Sequence, residues 1–180
     1  MGLDRIILDL CGGTGAWSKP YKEAGYDVRL ITLPQDIRML EYDRSFRVRG
    51  ILAAPPCTVF ASSGARWTRT KEEMLDGISI VDACLRAVVL YRPQWWCLEN
   101  PVGKLSRFLG KPVAYFQPYE YGDPYTKKTC LWGDFNVPPK HPVRPTEGGK
   151  IWRMAPSPRR AELRSITPAG FAKAFFEANQ

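Results

Sequence analysis

The stretch RIILDLCGGTGAW, residues 5–17, decides how the fold is read. Residues 6–10 are apolar except for Asp9, which suits a strand buried on both faces, and the run then breaks into Gly12, Gly13 and Gly15. The residues that follow, up to Ala24, can form a helix that Gly25 stops. Strand, glycine turn and helix in that order open an α/β unit. Such a turn lets a ligand approach the backbone closely and meets it with helix amides. Dinucleotides, adenosyl cofactors and phosphates all use turns of this kind, and a tight turn with no ligand uses the same residues. A dinucleotide fold also places an acid at the end of its second strand, where this chain has Thr32. A nicotinamide-dependent oxidoreductase therefore rests on the glycine turn alone.

Working outward, residues 28–32 read as a second short strand and residues 50–54 as a third, apolar enough to lie centrally in a sheet. Between Lys71 and Tyr91 the apolar residues Met74, Ile78, Val81, Leu85 and Val88 recur at helical spacing, and Pro93 closes that helix. Residues 95–99 form another buried strand, and residues 113–117 and 129–132 pair as a hairpin around a polar loop. Alternating strands and helices predict a doubly wound sheet. Residues 138–158 hold six prolines, at 138, 139, 142, 145, 156 and 158, and read as a loop or arm. Residues 167–179 begin with Thr-Pro, a capping and first-turn pair, and continue as an amphipathic helix.

At 180 residues the chain suits one domain with a core of ordinary size. It lacks both a run of about 18 apolar residues and the charged-then-apolar start of a secretory leader, so the expectation is a soluble cytoplasmic protein with no membrane partner. Five scattered cysteines (Cys11, Cys57, Cys84, Cys97, Cys130) and one histidine (His141) give neither a disulfide framework nor a zinc site, and no metal is expected. A net charge of +8 favours a polyanionic partner, because lysine and arginine release counterions when they meet phosphates. Many basic proteins touch no nucleic acid, so charge alone leaves that open.

Cys57 follows the third strand through Ala54, Pro55 and Pro56, which puts its thiol at a strand tip. A free cysteine is by residue type a small core hydrophobe. The carboxyl ends of strands in open α/β sheets, however, are where ligands bind, and a second tip presents Glu99 and Asn100. An acid in such apolar surroundings is either a hydrogen-bonded structural group or a proton-handling one. A nucleophile, an acid and a glycine turn would share one edge.

These stretches, DLCGGTGAWSKPYKEAGYDV, APPCTVF, LENP and GDPYTKKTCLWG, occur in that order within residues 6–133. Together with the closing SITPAGFAKAFFEAN, they resemble the successive motifs of the DNA cytosine-5 methyltransferases. The likeness is strongest to the small members common in phages and prophages, which would place the protein in a bacterial host cell. It implies a Rossmann-like S-adenosylmethionine-dependent methyltransferase fold: α/β, a mostly parallel doubly wound sheet with a terminal antiparallel hairpin. Residues 1–180 would form one catalytic domain.

The implied reaction transfers methyl to carbon 5 of cytosine in DNA, leaving S-adenosyl-L-homocysteine. By this resemblance Cys57 is the nucleophile that attacks carbon 6, and Glu99 is the acid that hydrogen-bonds N3 and the exocyclic amine. The cofactor would lie against Asp9, Leu10, Cys11, Gly12, Gly13, Gly15 and Pro55, with Asp36 and Ile37 beside its adenine. Pro56, Phe60, Arg66, Asn100, Pro101 and Lys127 would shape the substrate site.

The chain departs from the family pattern at named places. Thr32 stands where an acid usually meets the ribose, Ala61 replaces a serine, Tyr125 a glutamine, and Lys127 and Thr129 two arginines. Lysine is a point charge and does not reproduce a forked contact. Residues 134–163 replace a target-recognition region, offering Lys140, Arg144, Lys150, Arg153, Arg159 and Arg160 with Trp152 for phosphate contacts and stacking, or serving only as a solvated tail. So short an arm implies relaxed specificity, a single-stranded target or an accessory specificity protein. The same chemistry on RNA or a free cytosine nucleotide, or a degenerate subunit that binds cofactor or DNA, also stays open. Arg66, Trp67 and Arg69 would form either a flap over the site or a plain surface loop.

Overall fold

The computed structural model describes residues 5–62 and 68–180; Arg66, Trp67 and the side chain of Trp152 lie outside the described part. The chain is an α/β protein with a Rossmann-like doubly wound sheet of order β2-β1-β3-β4-β6-β5. Strands β1 (Ile6–Leu10), β2 (Asp27–Ile31), β3 (Val48–Ala53) and β4 (Trp95–Pro101) run parallel. The expected hairpin forms from β5 (Ala114–Phe116) and β6 (Thr129–Asp134), and β6 lies antiparallel between β4 and β5. All of β1 is buried, as its unbroken apolar run requires of a strand covered on both faces.

Period-two alternation splits the core into two layers. Leu8, Leu10, Ile51 and Leu98 face α2 (Lys71–Tyr91), while Ile7, Leu52 and Leu131 face an aromatic cluster built on Trp17, Tyr21, Phe171 and Phe175. In that cluster the Phe116 and Phe171 rings stack at 3.7 Å. The helix after the glycine turn, α1 (Lys19–Glu23), is short, with Pro20 in its first turn and Gly25 (φ +79°) just past its end.

Helix α2 has the predicted bounds, but its most buried face differs from the one its large apolar residues suggest. That face carries Gly77, Val81, Cys84 and Ala87, while Met74, Ile78, Leu85 and Val88 are only partly buried. Small residues let the helix approach closely: a side chain at 77 would overlap Val59. A capping box between Thr70 and Glu73 starts the helix, and Arg92 ends it in the left-handed conformation.

The predicted cap of the last helix is corrected. Pro168, not Thr167, is the flanking residue of α6 (Ala169–Ala178), and no side chain of that segment caps it. A residue before proline is held extended. The first-turn amide of Gly170 instead donates to the Asp123 carboxylate at 2.9 Å, an anion placed at the positive end of the helix dipole.

The proline-rich arm packs back onto the body and includes two short helices, α4 (Lys150–Arg153) and α5 (Arg160–Ser165); α3 (Ser106–Leu109) follows β4. His141 and Val143 amides donate to the carbonyls of Glu120 and Tyr119, and the amide of Thr126 to that of Gly148. Among the described residues no helix is long and apolar enough to cross a membrane.

Candidate functional site

Parallel order places the carboxyl ends of β1, β3 and β4 side by side, so the loops leaving them share one edge. After β1 the backbone enters the left-handed region at Cys11 (φ +57°) and Gly13 (φ +56°), and the Gly15 amide closes the turn onto Gly12 at 2.9 Å. No side chain fits at 12, where a Cβ would overlap the Asp9 carboxylate. Asp9 is fully buried; one oxygen accepts from the Ser18 hydroxyl at 2.5 Å, and the other has no partner among the described residues.

The loops after β3 and β4 are bound to each other. The Asn100 side-chain amide, buried, donates to the Pro55 carbonyl at 2.9 Å, fixing the Pro-Pro-Cys segment against the tip of β4. Further along, Ala61 bridges Gly103, and the Lys104 amide donates to the Phe60 carbonyl at 2.7 Å. This approach is too close for any residue but glycine at 103, since a Cβ would overlap the Phe60 carbonyl. The two tips carrying Cys57 and Glu99 are therefore braced by a local backbone pairing.

Between these loops lies a cleft of about 70 Å³. Asp9, Cys11, Gly12 and Gly13 form one wall, Pro55, Pro56 and Cys57 a second, and Glu99, Asn100 and Pro101 a third, with Lys127 beside them. The residues predicted at Leu10, Ile37 and Phe60 are instead core residues, and Gly15 and Asp36 stand outside the lining. The Asp36 carboxylate is taken up by Arg38, whose guanidinium holds it below the usual carboxylate range. Arg66 lies outside the described residues.

Several lining residues had no sequence signal. Thr14 and Trp17 belong to the glycine motif without being singled out, and Arg164, Ser165 and Thr167 come from the far end of the chain. The packing of α6 against Trp17, with the Lys127 bond to the Ile166 carbonyl, carries that end to the cleft.

The cleft sets its own electrostatics. Burial pushes the Glu99 carboxyl up, opposed by the Lys127 ammonium. Burial also pushes the Cys57 thiol up and Glu99 adds to that, while Lys127 and Arg164 pull it down. Lys127 is held by its backbone amide to the Gln117 side chain at 2.9 Å and by its ammonium to the Ile166 carbonyl at 3.4 Å.

Burial raises the Asp9 carboxyl from 3.8 to about 6. Such a group binds its proton more tightly in the folded chain, so its contribution to stability is full below its unfolded value and is lost as pH rises to about 6. The loss is on the order of 3 kcal/mol. Asp9→Asn is expected to remove this fall: urea unfolding at pH 4 and pH 7 should show the variant gaining on the wild type by that amount across the interval.

In the arm, Lys140 pairs with Glu120 at 2.8 Å, Arg159 with Glu162 at 3.4 Å, and Lys150 with Glu147 while lying 4.3 Å over the Tyr125 ring. Three cations expected to meet phosphates thus already face carboxylates. Tyr125 is buried under the arm and does not line the cleft. Among the described residues no cluster of histidine, cysteine and carboxylate suits a metal ion.

No family model and no curated protein matches the sequence. Among solved structures, the chain is similar to a protein encoded within an E. coli prophage and described as a DNA modification methyltransferase. The TM-score is 0.54 and the identity 16% over 77% of this chain, which spans about half (52%) of the length of that structure. That likeness establishes the fold: this chain is a Rossmann-like α/β domain of the kind on which that prophage protein is built.

Proposed function

We propose that the chain is a methyltransferase that uses S-adenosylmethionine to methylate carbon 5 of cytosine in DNA. The observation that carries this reading is the meeting of a cysteine thiol, a buried carboxyl and a glycine turn on one cleft. The fold shared with a protein described as a DNA modification methyltransferase supports it, as does the net charge of +8.

The residues present fit the cofactor. The partnerless buried oxygen of Asp9 suits the ammonium of an amino-acid end, and the indole nitrogen of Trp17, also buried without a partner among the described residues, suits its carboxylate. Gly12 and Gly13 leave the backbone open to close approach. When bound, the cofactor supplies an electrophilic methyl group on a sulfonium.

The chain's own residues prepare the base. Cytosine carbon 5 is a weak nucleophile until the Cys57 thiolate adds to carbon 6, which turns the ring into an enamine. Glu99, its carboxyl pushed up by burial, is the group that donates to N3 and so stabilises the charge that addition pushes onto the ring. Solvent water then takes the carbon-5 proton, the electrons of that bond expel the Cys57 thiolate, and N3 returns its proton to Glu99, which restores the aromatic ring and the free enzyme. Asn100 and Pro55 hold the two reacting groups in register.

A target base must leave its stack to reach such a cleft. With three arm cations already paired, single-stranded DNA is the better substrate than duplex. Side-by-side transfer of labelled methyl to duplex DNA, single-stranded DNA, RNA and deoxycytidine nucleotides tests this. Label in 5-methylcytosine of DNA, greater on single strands, is the expected result; label only in RNA or free nucleotide overturns the substrate, and none in any of them overturns the activity.

A further inference from the structure

One charged side chain at the cleft has no part in the reading above. Arg164 is half-buried in α5, where its neighbours Glu162, Leu163 and Ser165 are exposed, and it lines the same cleft as Cys57, Glu99 and Lys127. Its place in the chain is braced just beyond it, where the Ile166 carbonyl accepts from Lys127 and Thr167 is buried ahead of α6.

A thiol in this cleft has two reasons to keep its proton. Burial removes the water that would solvate a thiolate, and the neighbouring Glu99 pushes the thiol in the same direction. Asp9 contributes a further acid to the same walls. Among the described residues, the cations lining the cleft are Lys127 from the loop before β6 and Arg164 from α5. Lys127 divides its ammonium between the cleft and the Ile166 carbonyl. A guanidinium keeps its charge well above the range in which thiols titrate and is weakly hydrated, so it retains its field in a partly dry site.

We propose that Arg164 is a positioning residue that acts through Cys57, its guanidinium holding the side chain as the thiolate that attacks. The thiol proton leaves to solvent, and the guanidinium offsets the thiolate charge from its place on the cleft wall. The importance of this for turnover rests on the methyltransferase reading, but the coupling between the two side chains does not.

Alkylation of Cys57 by iodoacetamide in the full chain tests the coupling, because only the thiolate reacts. The rate is followed against pH by the mass of the Cys57 peptide, which separates it from the other cysteines. In Arg164→Gln the midpoint should move to higher pH by about half a unit or more, a roughly threefold or larger loss of rate near neutrality. Arg164→Lys, which keeps the charge, should stay near the wild type. So should Arg159→Gln, which removes an α5 cation that is paired with Glu162 and outside the cleft. An unmoved midpoint in Arg164→Gln overturns the proposal, and so does an equal shift in Arg164→Lys or Arg159→Gln, which would mark lost packing and not lost charge. The measurement needs neither nucleic acid nor cofactor. A wild type that transfers no methyl group therefore defeats the functional reading while leaving this result to stand or fall alone.

Discussion

Cys57→Ala is expected to abolish methyl transfer to DNA, on the order of 10⁴-fold or more, with the fold retained. The thiol lines the cleft and belongs to neither core cluster, so its removal leaves no cavity under the sheet. Denaturation midpoints should coincide for the two proteins. DNA containing 5-fluorocytosine checks the chemistry directly, since fluorine at carbon 5 blocks the proton loss that frees the enzyme. Wild type plus cofactor should give a complex that survives denaturing electrophoresis, and the variant none. A variant that still transfers methyl, or a wild type that is never trapped, removes the nucleophile from Cys57.

Glu99→Gln is expected to lower kcat by about 10²–10⁴-fold, with substrate affinity less affected. The carboxamide keeps the shape and offers a hydrogen bond to N3, but it has no proton to share as charge builds on the ring. The same variant carries a second expectation of opposite sense to that for Arg164. Glu99 raises the Cys57 thiol, so its neutral replacement should shift Cys57 alkylation to lower pH. A thiol that becomes more reactive in an enzyme that has become slower would separate the acid's role at the base from its effect on the sulfur. Unchanged kcat would leave Glu99 a structural acid.

The parts of the fold legible in the sequence are those that local pattern specifies. The β1 run, the glycine turn, the bounds of α2 and the β5–β6 hairpin all follow from period and turn chemistry within a few residues. The edge that collects Cys57, Glu99 and Asn100 was legible too, because parallel strands send their carboxyl ends to one side. The buried face of α2 was not, since large apolar residues dominate any periodicity while close packing against Val59 and Phe60 selects Gly77. Nor was the cap of α6, which Asp123 supplies from 47 residues away.

By itself the sequence determined the order of the strands, the positions of α2 and the closing helix, the glycine turn and which chemical groups sit at strand tips, because these depend on neighbours along the chain. Only the tertiary structure decided which charges the thiol faces. Arg164 reaches the cleft that holds Cys57, and Lys140 reaches the Glu120 carboxylate, through packing of aromatic rings on α6 and backbone bonds to a distant loop. Contacts between segments so far apart are set by how surfaces fit, which no local period records.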